Sequence, residues 1–344
     1  MKTLFKPLIV SAVLLTATTV NAQKFQSAFE YLEYIGKEFK MVQKATWEYT
    51  KAAAKNKSAK KIEKTRQELV QTIVAANNKI KRMDGWNGNT AFRDSTVSFL
   101  EMNKAVVSYD YEKIMNMEDI AEQSYDLMEA YMKAQDVANE KLSGAGERIE
   151  TAEKKFAEDN EIKLIEANDK TTLSLKRAGV VMDYYDPIYL IFFKSYKAEA
   201  YLLDALNKND VSGMEQNKST LAKYAAEGLA QLDAIKPFEG DGSLKKAATE
   251  LLTFYKDEAE KKFQPLIDFS TTKDGFEKAK KNIETKKEKE RTQADIDTYN
   301  KMVNEYNKGL NDLNKINTDL NNTRTKLINN WNNAATNFTN KHIN

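Results

Sequence analysis

Five apolar side chains, Tyr299, Tyr306, Leu313, Leu320 and Leu327, stand seven residues apart near the C-terminus. A second set with the same spacing, Val303, Leu310, Asn317, Arg324, Trp331 and Phe338, runs between them. Such a register belongs to a helix packed lengthwise against another helix. A strand, whose side chains alternate with period two, cannot use it. Asn317 and Arg324 interrupt the second set, so whatever faces them has to be polar or absent. The N-terminal part shows the same habit: Phe25, Ala28, Leu32, Ile35, Phe39, Val42, Thr46 and Tyr49 recur at alternating steps of three and four. With only 12 Gly and 4 Pro in 344 residues, there is little turn material to break such helices. The expected fold is all-α: an elongated antiparallel helical bundle with long, heptad-bearing helices.

The first 22 residues read as a secretory leader. Lys2 and Lys6 give it a positive start, Leu8 to Leu15 an apolar centre, and Val20-Asn21-Ala22 a small-residue cleavage site. No later stretch is long enough to span a bilayer, so no transmembrane span is expected once the leader is removed. The chain has no cysteine, so packing alone has to hold its helices.

A first helix is expected over Lys24 to Asn56, and a second, carrying Ile62, Leu69, Ile73, Ala76, Ile80 and Met83, is expected to end in the turn Asp84-Gly85-Trp86-Asn87-Gly88-Asn89. A third begins near Thr90, and its seam from Ile114 to Phe156 amounts to roughly 65 Å of helix if unbroken. Gly144 and Gly146 weaken it and mark either a bend or a place where a neighbour approaches closely, and Glu158-Asp159-Asn160 is the corner before the second half. The most apolar internal stretch lies in Asp183 to Asn207, where Ile188 to Phe193 is apolar almost all the way round a helix, the mark of a core segment. Pro187 either starts that helix, with Asp186 as cap, or sits inside a longer one. Pro265 and Asp274-Gly275 are expected to interrupt the last third, and Thr292 with Asp295 to cap the final helix.

Shifting the first half by 152 positions superimposes its features on the second. Leu69 falls on Leu221, Ile80 on Leu232, Trp86 on Phe238, Gly88 on Gly240 and Leu100 on Leu252. The expectation is an internal duplication, with an N-terminal half over 23–160 and a C-terminal half over 161–344.

The chain has 53 basic and 51 acidic residues, and the leader holds two of the lysines and no acid, so the rest is formally neutral. That argues against nucleic acid as a partner. The charges are uneven: Lys51 to Arg82 holds ten basic and two acidic residues, and Asp110 to Glu140 nine acidic and two basic. Neighbouring helices that neutralise each other would explain this; a basic face for an anionic polymer is the sharper alternative. Carboxylates gather at Glu118, Asp119, Glu122, Asp126 and Glu129, a candidate acid–base or metal cluster. The single histidine, His342, reads as a tail residue and excludes the Glu-x-x-His pairs of helical di-iron sites. With no cysteine, no Gly-x-Ser-x-Gly elbow and no phosphate-binding glycine loop, the expectation is no catalytic residue, no cofactor and no metal, with the carboxylate cluster as the alternative.

The candidate contact residues are aromatic and amide. Trp47, Trp86 and Trp331, with Tyr184 and Tyr185, could stack on a sugar, although such residues more often fill cores and corners. The last 45 residues contain 15 asparagines, and Asn300, Asn304, Asn307, Asn311 and Asn314 share one helix face, an uncharged amide stripe suited to glycan or another chain.

Three strings, Met117 to Tyr131, Tyr189 to Leu206 and Trp331 to His342, together with the leader, resemble a family of exported leptospiral-type surface proteins also found in other Gram-negative bacteria. The resemblance implies export to the cell surface or periplasm and brings no activity or binding residues. The expected function is a non-enzymatic binding or interaction protein of the bacterial envelope, its partner another protein or a surface polymer such as glycan. Two alternatives are a membrane-active, pore-forming-like helical protein built on Pro187 to Phe193, and an enzyme using the carboxylates around Glu118 and Glu122.

Overall fold

A computed structural model describes residues 25–54, 58–165 and 169–343. The leader expected over the first 22 residues lies outside them, as do the side chains of Glu118 and Asp119. Among the described residues the chain is an all-α helical bundle of ten α-helices. It forms two compact units. The first runs up to Asp186 and takes in the stretch from Thr336; the second is Pro187–Ala335. The division falls inside a helix rather than at 160/161. Residues up to Asp186 join the first unit together with the stretch from Thr336, where Arg177 bonds the His342 carbonyl and Tyr184 packs on Phe338.

In the first unit, α1 (Ala28–Ala54) packs on α2 (Ala59–Lys81), α2 on α3 (Ala91–Ala105), and α3 on α5 (Tyr125–Asp159). The seam read from α1 is its buried face: Leu32, Ile35, Phe39, Val42 and Tyr49 are all core residues. Between α2 and α3 the chain reverses in a tight turn with Trp86 opposite Asn89, and Asn87 and Gly88 both take positive φ, 49° and 81°. Asn-Gly is the pair that tolerates this geometry best. α3 continues through one π turn, Val106–Asp110, into α4 (Tyr111–Ala121).

The expected long third helix is broken, but not at the glycines. It stops at Ala121, and α5 restarts after Ser124, whose hydroxyl accepts the Leu127 N–H. Gly144 and Gly146 lie inside α5, and Gly146 is on its buried face. The cap bond and the surrounding packing outweigh a glycine cost of about 1 kcal/mol per residue. Ser124→Ala is expected to lower stability by about 0.5–2 kcal/mol in urea titrations followed by helical circular dichroism.

The second unit opens with the later part of α6 (Lys170–Asn207), in which Pro187 is an internal residue rather than the first one. There follow α7 (Val211–Ala234), α8 (Ser243–Asp257), a π turn at Glu258–Lys262, α9 (Gln264–Thr285) and α10 (Gln293–His342). Pro265 sits in the first turn of α9, where its missing N–H costs nothing. Asp274-Gly275 does not interrupt α9. A Cβ on Gly275 would lie 3.3 Å from the Met302 sulfur, so the position serves close helix approach. The expected cap of α10 is present: Thr292 N–H meets Asp295 Oδ2 at 2.8 Å, and Asp295 N–H meets Thr292 Oγ1 at 3.2 Å.

Elements recur at one offset. The π turns begin at Val106 and Glu258, 152 positions apart, and the helices before them begin at Ala91 and Ser243, also 152 apart. The tight turn recurs at Phe238 and Asp241, with Glu239 and Gly240 at φ 49° and 85°. Leu69, Leu221, Ile80, Leu232, Leu100 and Leu252 are all buried.

Candidate functional site

Two features of the second unit stand out chemically, and both lie on the hairpin that α9 and α10 form. Beyond Ser270 on α9 and before Leu320 on α10, no side chain of the hairpin is fully buried. One seam holds the pair together: Phe276 stacks on Tyr306 at 4.7 Å and on Tyr299 at 6.2 Å, and Phe269 meets Tyr306 at 5.4 Å. A Cβ on Gly309 would lie 2.6 Å from the Phe269 ring, so the ring occupies the space a larger residue there would need. Away from the seam, Asn300, Asn304, Asn307, Asn311 and Asn314 are all exposed along one face of α10. Each amide offers two donors and an acceptor without charge.

The second feature lies at the base of the hairpin. Arg324 is only 9% exposed, and its guanidinium donates from Nε to Glu199 of α6, from Nη2 to Glu258 at 2.5 Å, and from Nη1 to Asn321. Glu199 and Glu258 are 2% and 0% exposed. This is the polar partner that the interrupted heptad set requires. Glu258 is the first residue of the second π turn and continues the buried period Leu244, Ala248, Leu251 and Tyr255 of α8. Burial, and then the charge of Glu199, push its carboxyl up to about 8. Tyr255 of α8 is buried beside them, and burial and Glu199 raise its phenol well above its ordinary value.

The corresponding π turn of the first unit is built differently. Val106 stands where Glu258 does, and Arg66 of α2 donates from Nη1 to the carbonyls of Val107 and Ser108, at 2.9 and 3.3 Å. A π turn displaces carbonyls from the regular ladder, and here an arginine held by Glu63 satisfies two of them. In the second unit the equivalent pair, Glu215 and Lys218, meets Gln264 instead.

The contact residues expected from sequence are divided between the units. Trp86 is half-buried, bonded to Asn160, with its ring 6.1 Å from Tyr31. Tyr31 stacks in turn on Phe156, and Phe156 on Phe92, so Trp86 closes one end of the first unit. Tyr185 is buried and Tyr184 packs on Phe338 at 5.5 Å. Unlike these aromatics, Asn300, Asn304 and Asn307 are fully exposed.

Several expectations need correction. The basic helix α2 packs mainly on α1 and α3, and Lys79 and Lys81 pair with Glu38 and Glu101, while Arg66 is drawn to Glu112 of the acidic 110–140 segment, so the two segments neutralise each other only in part. His342 is no loose tail: Arg177 bonds its carbonyl at 3.1 Å and its Nδ1 at 3.0 Å, and its ring lies 4.8 Å from Phe338. Of the carboxylate cluster, Glu122, Asp126 and Glu129 face solvent, Glu118 and Asp119 lie outside the described side chains, and no metal-holding group occurs among the described residues.

Ile188, Tyr189, Phe192 and Phe193, the residues on which membrane insertion would rest, are buried within the second unit. No described helix is long and apolar enough to cross a membrane.

Sequence reading did not find Glu199, Glu258 or the π turns. Arg324 in an apolar register was the one available signal. No family model, curated protein or solved structure matches the chain.

Proposed function

We propose that the chain is an exported, non-enzymatic binding protein of a bacterial cell envelope, and that the amide face of the α9–α10 hairpin is where its partner, another protein or a surface polymer, is held. The observation that carries this reading is the row Asn300, Asn304, Asn307, Asn311 and Asn314, exposed on a hairpin whose apolar side chains are spent on one seam. Uncharged amides on a stiff two-helix support form directional bonds without the desolvation cost of charges. Export rests on the leader in residues 1–22 and on the resemblance to exported surface proteins.

The test is capture of envelope components by the purified protein lacking its leader, compared with an Asn300→Lys, Asn304→Lys, Asn307→Lys variant of unchanged helicity. The wild type is expected to retain a defined component and the variant to lose it. Equal capture by both would reject the amide face. Robust substrate turnover by the purified wild type would reject the non-enzymatic reading.

A further inference from the structure

The geometry points to a proton-dependent latch at the base of the hairpin: Glu258 holds a proton beside Glu199 and Arg324, and loss of that proton releases α10 from α6 and from the π turn. The inference stands apart from the amide-face reading and uses none of its residues.

Charge counting comes first. Two carboxylates and one guanidinium, all ionised, leave a net charge of −1 among residues no more than 9% exposed. A buried charge without compensation is expensive, and the cheapest relief is to take up a proton. The coordinates identify where it goes. Glu258 Oε1 accepts from Arg324, but Glu258 Oε2 is buried and meets no donor. A proton on that carboxyl makes it a donor, and the neighbouring Glu199 carboxylate, to which Glu258 is hydrogen-bonded, is its acceptor.

The groups around the cluster do not supply a second cation. From α6 come Glu199 and Tyr196, and from α8 Tyr255. α10 contributes Arg324 with the neutral Asn321. α7 and α9, which also pack on the π turn, keep their charges elsewhere: Lys218 binds Glu215 and Gln264, and Gln264 binds Asp268. Asp257 takes Lys261 and Lys262.

The sign follows from the raised carboxyl of Glu258. The folded state holds a proton that the unfolded chain releases near the ordinary carboxylate value, so closure is most favourable below that value. The advantage is lost as pH rises toward about 8. The step is simple: the Glu258 carboxylic acid gives its proton to water and becomes a second buried carboxylate facing Glu199.

The test is amide hydrogen exchange of the whole protein, followed in peptides covering 317–327 and 255–262 and corrected for the intrinsic pH dependence of exchange. In the wild type, the corrected opening constant of these peptides is expected to rise by about tenfold per pH unit within the window. Glu258→Gln carries a neutral side chain of the same shape and is expected to flatten that dependence. Glu199→Gln, which also leaves one carboxylate for Arg324, is expected to do the same. A wild type with no pH dependence in these peptides overturns the latch. So does a Glu258→Gln protein that keeps the wild-type dependence, or one that fails to fold at about pH 6 where the acid it imitates is protonated.

Discussion

Arg324→Met is expected to lower the stability of the protein by about 3–5 kcal/mol near neutral pH, the usual result of removing one partner from a buried ion cluster. The loss is not the value of the salt bridge itself. It reflects Glu199 and Glu258 left face to face with no cation, at 2% and 0% exposure. Two controls separate these terms. Replacing Arg324, Glu199 and Glu258 together by apolar residues of similar volume is expected to restore most of the loss, because well-packed apolar groups often match or exceed a buried ion pair. The single variant is also expected to recover partly as pH falls and the buried Glu258 carboxyl, raised by burial, becomes fully protonated. Urea titrations at two pH values measure all three. A loss under about 1 kcal/mol near neutral pH would mean that the carboxylates escape to water when the arginine is gone.

Trp331→Ala is expected to cost a similar amount, about 3–5 kcal/mol, through lost contact and an unfilled cavity. Trp331 is 1% exposed and its ring centre lies 4.5 Å from that of Phe192. Trp331→Phe is expected to cost much less, because the buried indole N–H has no hydrogen-bond partner to lose. Comparing the two variants by thermal and urea unfolding separates ring packing from polar contact. If Trp331→Ala were silent, α10 would contribute little to the core of the second unit.

How much of this was legible in the sequence depends on the range of the interaction responsible. Local rules found local features. The Thr292–Asp295 cap, the Asn87-Gly88 turn and the seam of α1 are each decided within a few residues, and all are present. The failures came where packing overrides propensity. Glycine inside α5 and Gly275 inside α9 look like breaks in a linear reading, yet the helices run through them; for Pro187, inside α6, the second of the two open readings holds. Ser124 was passed over because nothing around it interrupts the apolar period, although its hydroxyl starts α5.

The buried cluster was beyond a linear reading for a different reason. Its members come from positions 199, 258 and 324, and only the fold brings them together. Glu258 falls on the buried period of α8, three residues after Tyr255, but an acid in that register does not name the arginine 66 positions on that meets it. The asparagine face was legible because it depends on one helix alone.

The recurrence of the π turn has a practical consequence. Val106 and Glu258 occupy the same place in two copies of one local architecture, one apolar and the other bearing an acid. The molecule therefore carries its own reference compartment. Probes placed at matched sites in the two copies share solvent, temperature and chain, so the difference between their responses to alkali isolates the contribution of the charge, free of the drift that complicates comparison of separate proteins.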